Sequence, residues 1–334
     1  MKGRKFLIVG TGSIGRRHFG NLQSLGYRDI AVLRSKRGMD AQQREFFSRY
    51  RPQVFYNLKA ALAEKPDAVL VCNPTSLHVS TARSAIRAGS HVFIEKPISH
   101  TRAGIDSLLR EARKRKRIIY VGYHFRHHPL LKITKRLLDD GKLGELLAAR
   151  FVTGEYLPAW HPWENYRKGY AGLSDLGGGV VLTQSHDLDL VQWFFGKPRS
   201  ITAAVRNSGI LGIDTDDLAA LTITTERCPI VTSHLDYLTR PPVKNFVISG
   251  SKGNLHLDYY QNKLRFTRPD GKMRVVKAPA GFERNQMYIA ELKDFIRCIR
   301  RGTSPASDGY SGRAVLEMAL GGKEASRRGQ TLDF

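Results

Sequence analysis

In the stretch GGGVVLTQSHDLD, Gly177 to Asp189, a triple glycine runs into an apolar, helix-like segment, and His186 sits one turn into it among Gln184, Ser185, Asp187 and Asp189. A helix that only packs has no need of that cluster. Histidine takes up and releases protons near neutral pH, its ordinary pKa being about 6.5. His186 is therefore a candidate for moving a proton to or from a reacting hydroxyl. The plainer reading is a helix cap or a core histidine. A second candidate stands in HVFIEKP, where Lys96 follows Glu95 and precedes Pro97 at the end of a predicted strand. An ammonium group held there donates hydrogen bonds to hydroxyls and favours a developing alkoxide. Alcohol oxidation by hydride transfer needs such a cation and a base for the proton; ketone reduction needs the reverse.

Hydride transfer also needs a carrier, and the N-terminal segment has the pattern for one. VGTGSIG places Gly10, Gly12 and Gly15 in G-x-G-x-x-G spacing, after a predicted strand and before a predicted helix. Gly10 permits the tight turn. Gly12 lets the backbone approach a pyrophosphate, and Gly15 lets helix and strand pack closely. The pyrophosphate then rests on the helix N-terminus. Without a ligand, the same stretch is an ordinary glycine-rich turn. The next strand ends in RSKRG, with Arg34, Ser35, Lys36 and Arg37 where a ribose-binding carboxylate would stand; Asp29 lies before that strand. Guanidinium and hydroxyl groups there suit a 2′-phosphate, so NADP is the expected cofactor and NAD the possible substitute. The alternative is a basic surface turn in a basic protein. CNPTSLH puts Asn73, Pro74 and His78 after a further strand, at the edge where such sheets bind ligands. The expected cofactor residues are thus Gly10, Gly12, Ser13, Ile14, Gly15, Arg34, Ser35, Arg37, Asn73, Pro74, His78, Glu95 and Lys96.

The elements that must position these residues are legible as periodic patterns. Short apolar strands are predicted at Phe6–Val9, Ile30–Leu33, Val69–Cys72, His91–Ile94 and Ile118–Val121. Amphipathic helices alternate with them, one through Ile14, Phe19, Leu22 and Leu25 to Gly26, another from an N-cap-like Thr101 through Ile105, Leu108 and Leu109. That alternation implies an α/β, doubly wound parallel sheet over residues 1–122. From Tyr123 the pattern changes to a helix around Leu130–Asp139 and then longer alternating strands at Leu146–Leu157, Ile201–Arg206, Leu218–Thr224, Ile230–Tyr237, Asn245–Ser249, Asn254–Leu257 and Leu264–Thr267. Those predict a large, mostly antiparallel open sheet with one covered face, an α+β domain over residues 123–334. Helices near Met287–Ile299 and Arg313–Ser326 close the chain. With no flexible linker in the sequence, the two domains are expected to pack directly around a cleft.

Composition narrows the function classes. The chain has 334 residues and a net charge of +24, and residues 1–120 alone carry 24 Lys and Arg against 8 Asp and Glu. Such a field favours anionic ligands. The run RKRKR, Arg113 to Arg117, closes a predicted helix, where cations suit the dipole. No zinc finger, RNP-like strand or helix-turn-helix accompanies it, so no specific nucleic acid is expected. No apolar run approaches the roughly 18 residues of a membrane span, and MKGRKFLIVGTG does not read as a signal peptide. Cys72, Cys228 and Cys298 lie far apart, with neither a metal spacing nor a disulfide framework. The cytoplasm is the expected compartment, and no metal is expected.

Together, VGTGSIGRRH, CNPTSLHVSTARSAIRAGSHVFIEKPIS, VGYHFRHHP and GGGVVLTQSHDLDLVQWFFG resemble the glucose–fructose oxidoreductase/inositol dehydrogenase (Gfo/Idh/MocA) family, in family order and across essentially the whole chain. The resemblance implies a Rossmann domain followed by an open-sheet domain, and hydride transfer between NAD(P) and a sugar, inositol or nucleotide sugar. It implies homo-oligomers formed through the C-terminal sheet, the Lys96 role above, proton relay by His186 and a cis peptide before Pro97. Many family members carry an aspartate three or four residues before that histidine; here Thr183 and Leu182 stand there, so the lysine–aspartate–histidine trio is incomplete. His124 stands where many members have asparagine. In EYLPAWHPWENYRKGYAG, aromatic and basic side chains suit sugar faces and anionic groups. The expected substrate residues are His124, Trp160, His161, Trp163, Tyr166, Arg167 and Thr183; a packed lid is the alternative for the loop. A similar loop in members linked to surface-polysaccharide and acidic-sugar pathways suggests an acylamino or nucleotide sugar. The competing reading is a noncatalytic NAD(P)-binding regulatory protein on the same fold, favoured by the missing aspartate and opposed by retention of Lys96 and His186.

Overall fold

The computed structural model describes residues 3–36 and 38–334. In chain order its elements are β1 (Phe6–Val9), α1 (Ser13–Ser24), β2 (Ile30–Leu33), α2 (Ala41–Tyr50), β3 (Gln53–Phe55), α3 (Leu58–Ala63), β4 (Ala68–Val71), α4 (His78–Arg87), β5 (His91–Ile94), α5 (Ile105–Lys114) and β6 (Ile119–Val121). They continue as α6 (Pro129–Asp139), β7 (Leu146–Gly154), α7 (Val180–Thr183), α8 (His186–Phe195), β8 (Pro198–Arg206), β9 (Leu218–Thr225), β10 (Val231–Asp236) and β11 (Val243–Gly250). The last are β12 (Gly253–Asp258), β13 (Lys263–Thr267), β14 (Met273–Lys277), α9 (Asn285–Arg301), α10 (Gly309–Arg328) and β15 (Leu332–Asp333). Two compact units result, Met1–His124 with Arg284–Arg313, and Phe125–Glu283 with Ala314–Phe334.

The first unit holds a six-stranded sheet in the order β3-β2-β1-β4-β5-β6. All its pairs are parallel, with Phe6 opposite Ile30 on one side and Ala68 on the other. Helices connect the strands, and β1 and β4 are buried on both faces. That is why these strands read as continuous apolar runs rather than alternating ones. The ring of Phe93 stacks on Tyr120 at 5.3 Å and meets the edge of Phe295 at 5.7 Å. Phe295 belongs to α9, whose Leu292, Phe295 and Ile296 enter the same core as Phe6 and Ile8. A single division at residue 122 therefore misplaces α9. The chain returns because the apolar stripe of that helix completes the core of the parallel sheet.

The second unit holds a nine-stranded sheet in the order β14-β13-β12-β11-β7-β10-β9-β8-β15. The β10–β7 pair is parallel, and the other described pairs are antiparallel. Phe194 and Phe195 of α8 pack on Phe246 and Phe151 of the sheet at 5.9 and 6.3 Å. Apolar Leu147 on β7 and Met273 and Val275 on β14 remain exposed.

Several boundaries differ from the expected ones. The strand expected over Leu146–Leu157 ends at Gly154, and a 3₁₀ turn takes Leu157–Ala159. The helix expected from Thr101 begins at Ile105, after Gly104 in the left-handed region. Strands β3, β14 and β15 were not expected; they are short or exposed, and alternation over so few residues carries little signal.

Candidate active site

In the first unit, the glycine turn closes directly after β1. Gly10 has φ of +102°, and a Cβ there would lie 2.5 Å from the carbonyl oxygen of Cys72. A Cβ on Gly15 would collide with the carbonyl of Gly10. Gly12, in contrast, faces open space and is the N-cap of α1, whose first turn carries no acidic residue and no capping side chain. Ser13 and Ile14 begin the helix. Its free N–H groups and dipole thus suit a pyrophosphate, and the residues present fit a dinucleotide.

At the end of β2, the guanidinium of Arg34 lies 5.5 Å from the Phe47 ring centroid and donates to Gly38 O at 3.4 Å. Ser35 beside it is exposed. Arg37 lies outside the described residues. Asp40 is the nearest following carboxylate, and it accepts the Gln43 N–H at 2.7 Å in a capping box on α2. Arg16 and Gln43 both donate to Thr11 O, at 3.0 and 3.3 Å, tying the glycine turn to α2. These two positioning side chains were not singled out from sequence; D-x-x-Q at the start of α2 was the available signal.

Beyond β4, Asn73 donates from Nδ2 to Thr81 Oγ1 at 3.0 Å, and Pro74 caps a 3₁₀ turn. His78 is 1 % exposed, its ring nitrogens 2.9 Å from Pro97 O and 2.8 Å from Asn73 O. Burial holds its pKa below the ordinary value, against the raising pull of those two carbonyls. Its place is that of a brace between the ends of β4 and β5. Glu95 is buried, Lys96 is partly exposed, and the Lys96–Pro97 peptide is cis. His124 is buried and stacked on Tyr288, with ring centroids 4.1 Å apart.

In the second unit, the apolar run after the triple glycine is broken. One helical turn, α7, stops at Thr183, and His186 is the first residue of α8 rather than one turn inside a continuous helix. The His186 ring packs on Phe125 at 4.5 Å and is 7 % exposed. The acidic neighbours are each engaged with a cation. Asp189 accepts Arg126 through Nε at 3.0 Å and Nη2 at 2.6 Å, both side chains being buried. Asp187 lies 3.9 Å from the Lys244 ammonium, which also sits 4.9 Å above the Phe125 ring. Burial raises both carboxyl pKa values, and the paired cations oppose the rise.

Thr183 is 2 % exposed. Its hydroxyl donates to Gly179 O at 2.9 Å, and it accepts from the Tyr237 hydroxyl. Tyr237 is fully buried, with its phenol pushed well up by desolvation, and Trp160 meets it edge-on at 5.4 Å. Thr183 is thus part of a hydrogen-bonded brace that links α7 to the aromatic loop. In that loop, Tyr166 and Arg167 both donate to Leu211 O, at 3.1 and 2.9 Å. His161 and Trp163 have ring centroids 5.2 Å apart, and Trp163 is 50 % exposed. The loop therefore combines anchored and exposed aromatic residues.

Comparison with known proteins gives the lineage. The oxidoreductase family GFO_IDH_MocA, described by an NAD-binding Rossmann fold, matches residues 4–123, and the GFO/IDH/MocA C-terminal domain matches residues 132–256. The chain belongs to the GFO/IDH/MocA family. It is an NAD(P)-dependent oxidoreductase by class, with the expected Rossmann domain and open-sheet domain. Myo-inositol 2-dehydrogenase of Thermotoga maritima is 24 % identical, over 95 % of each chain. UDP-N-acetylglucosamine 3-dehydrogenase of Acidithiobacillus ferrooxidans is 26 % identical, over 93 % of this chain and 95 % of that one. Levoglucosan dehydrogenase, solved with NADH and levoglucosan, superposes with a TM-score of 0.87 at 16 % identity, covering 99 % of both chains. No helix among the described residues is long and apolar enough to cross a membrane.

Proposed function

We propose that this GFO/IDH/MocA protein is an NADP-dependent oxidoreductase that transfers a hydride between nicotinamide and a hydroxyl or ketone carbon of a sugar or nucleotide sugar. The observation that carries it is the retention of Lys96 at the end of β5 and His186 at the start of α8, together with the anion-receptive turn at Gly10–Gly15. The relatives named for inositol and for UDP-N-acetylglucosamine support a polyol or sugar as substrate. The second supports a nucleotide sugar and a place in surface-polysaccharide or acylamino-sugar metabolism. Bound nicotinamide supplies or accepts the hydride. Lys96 stabilises negative charge on the reacting oxygen, and His186 takes or returns its proton. Trp160, His161, Trp163, Tyr166 and Arg167 contribute to substrate binding, with Thr183 and His124 as supports. The free, buried cysteines agree with a reducing cytoplasm, and the exposed apolar residues of β7 and β14 agree with self-association through the sheet.

The preference for NADP rests on Arg34, held over Phe47, and on exposed Ser35. Charge-assisted bonds to the 2′-phosphate are expected to favour NADP by about tenfold or more. Arg34→Asp should reverse the order, since a carboxylate accepts from the ribose hydroxyls and repels the phosphate. Titration of both variants with both cofactors checks this; tighter binding of NAD by the wild type contradicts it.

A further inference from the structure

His18 on α1, Glu95 after β5 and Glu291 on α9 converge inside the first unit. One ligand atom from each lies within 4.8 Å of the others. His18 and Glu291 have no exposed surface, and Glu95 is 7 % exposed. His18 Nε2 and Glu95 Oε1 are 2.6 Å apart, and Glu95 Oε2 accepts the Lys96 backbone N–H at 3.3 Å. Among the described residues, neither carboxyl oxygen of Glu291, nor Nδ1 of His18, has a hydrogen-bond partner. These groups also have the chemistry of metal donors. Two donors on one ion, with bonds of about 2.1 Å, would sit about 3.0–3.4 Å apart. The His18–Glu95 separation is instead that of a direct, charge-assisted hydrogen bond.

Two carboxylates this close in an apolar surround do not both ionise. Glu95 accepts N–H groups from two sides, whereas Glu291 meets no donor among the described residues. The neighbouring cations, Arg17 and Arg284, lie on the Tyr288 side of the cluster, and the one charge that acts on Glu291 is the like charge of Glu95. Cys72 at the end of β4 and Tyr288 on α9 are both pushed toward their neutral forms by burial. Arg17 of α1 lies over the Tyr288 ring, 4.7 Å from its centroid. With Nε2–H of His18 donating to Glu95, a neutral imidazole leaves only a lone pair unmet at Nδ1.

We propose that Glu291 is a neutral carboxylic acid that, together with the Nε2–H of His18, fixes the Glu95 carboxylate and through it the peptide of Lys96. The Glu291 carboxyl has an oxygen within 4.8 Å of the Glu95 carboxylate, and in this assignment its O–H is the donor turned toward Glu95. Glu291 and His18 are thus positioning residues, and their functional consequence rests on the reading of Lys96 above. The sign of the linked pH effect is fixed. Burial first, and Glu95 second, hold the Glu291 pKa well above the carboxylate range. The folded chain therefore keeps a proton that the unfolded chain releases near the ordinary carboxyl pKa. This stabilisation is complete below that pKa and is lost as pH rises toward the folded value.

Glu291→Gln keeps the shape of the neutral acid and has no proton to lose. Its melting temperature should fall less steeply than that of the wild type between pH 5 and 9. Infrared difference spectra at pH 7 should show a protonated-carboxyl band in the wild type that is missing from the variant. Equal pH slopes, no such band, or one tightly bound divalent ion per chain that is lost on substitution would each overturn the assignment. Should Glu291→Gln fail to fold, Glu95→Gln serves instead. It removes the repelling charge, so the Glu291 band should titrate at lower pH, and an unmoved titration would count against the proposal. Glu95→Gln should also lower turnover by about tenfold or more through displacement of Lys96; full turnover overturns the positioning role. The infrared and melting readouts do not depend on Lys96 being reactive, so failure of that reading shows separately in Lys96→Ala.

Discussion

Lys96→Ala is expected to lower turnover by about two orders of magnitude while leaving the thermal transition close to wild type. That size is typical for removal of one preorganised donor from a developing oxyanion. The side chain is partly exposed at the end of β5, in contrast to the wholly buried Val92, Phe93 and Ile94 that precede it. Truncation thus leaves no core cavity, and the buried strand that precedes it stays filled. Steady-state kinetics on an identified substrate, read with a melting curve, separates the roles. A turnover defect in a fully stable variant fits charge stabilisation. Unchanged turnover returns Lys96 to a structural part.

His186→Ala should lower the turnover number by about 10²–10⁴-fold, the usual worth of a positioned acid or base. It should also remove a near-neutral limb from the pH–rate profile and leave NADP affinity nearly unchanged. Under the proposed function, the His186 imidazole would take the O–H proton when a substrate hydroxyl is oxidised and return it when a ketone is reduced, with bound nicotinamide as the hydride carrier. The ring is also packed on Phe125, so alanine costs some packing, and His186→Gln, which fills more of the space, is the control. If either variant keeps both the rate and the pH limb, His186 is not the relay. The break between α7 and α8 gives this residue its setting: it opens a helix instead of sitting inside one. Asp187 and Asp189, adjacent in sequence, are committed to Lys244 and Arg126. Thr183 is tied to Gly179 and Tyr237. An aspartate introduced at position 183 would therefore enter a filled hydrogen-bonded brace.

The parallel sheet was legible because Phe6–Val9, Ile30–Leu33 and His91–Ile94 are short apolar runs bounded by turns, and the strands occupy those residues. The glycine spacing was legible because Gly10 and Gly15 answer to hard steric limits that no side chain meets. The α7–α8 break was not, since Val180–Leu182 and Leu188–Val191 continue one apolar pattern across Gln184 and Ser185. The return of α9 was hidden for a different reason: periodicity announces an amphipathic helix without naming the sheet its stripe will cover. Glu291 carried a signal that was passed over. It stands three residues after Tyr288 and four before Phe295, a carboxyl on the buried stripe of α9. His78 carried a signal of a different kind, a histidine at the ligand-binding edge of the sheet whose ring nitrogens meet two backbone carbonyls.

The most direct measurement is turnover read at the nicotinamide absorbance. Inositols, free sugars and UDP-N-acetylhexosamines would be offered with NADP⁺ and NAD⁺, and the corresponding ketones with the reduced cofactors. At least one secondary alcohol of this set is expected to reduce NADP⁺, at a rate that collapses in Lys96→Ala. Tight cofactor binding with no hydride transfer in either direction, for any of these compounds, would contradict it and leave a dinucleotide-binding protein without a dehydrogenase reaction.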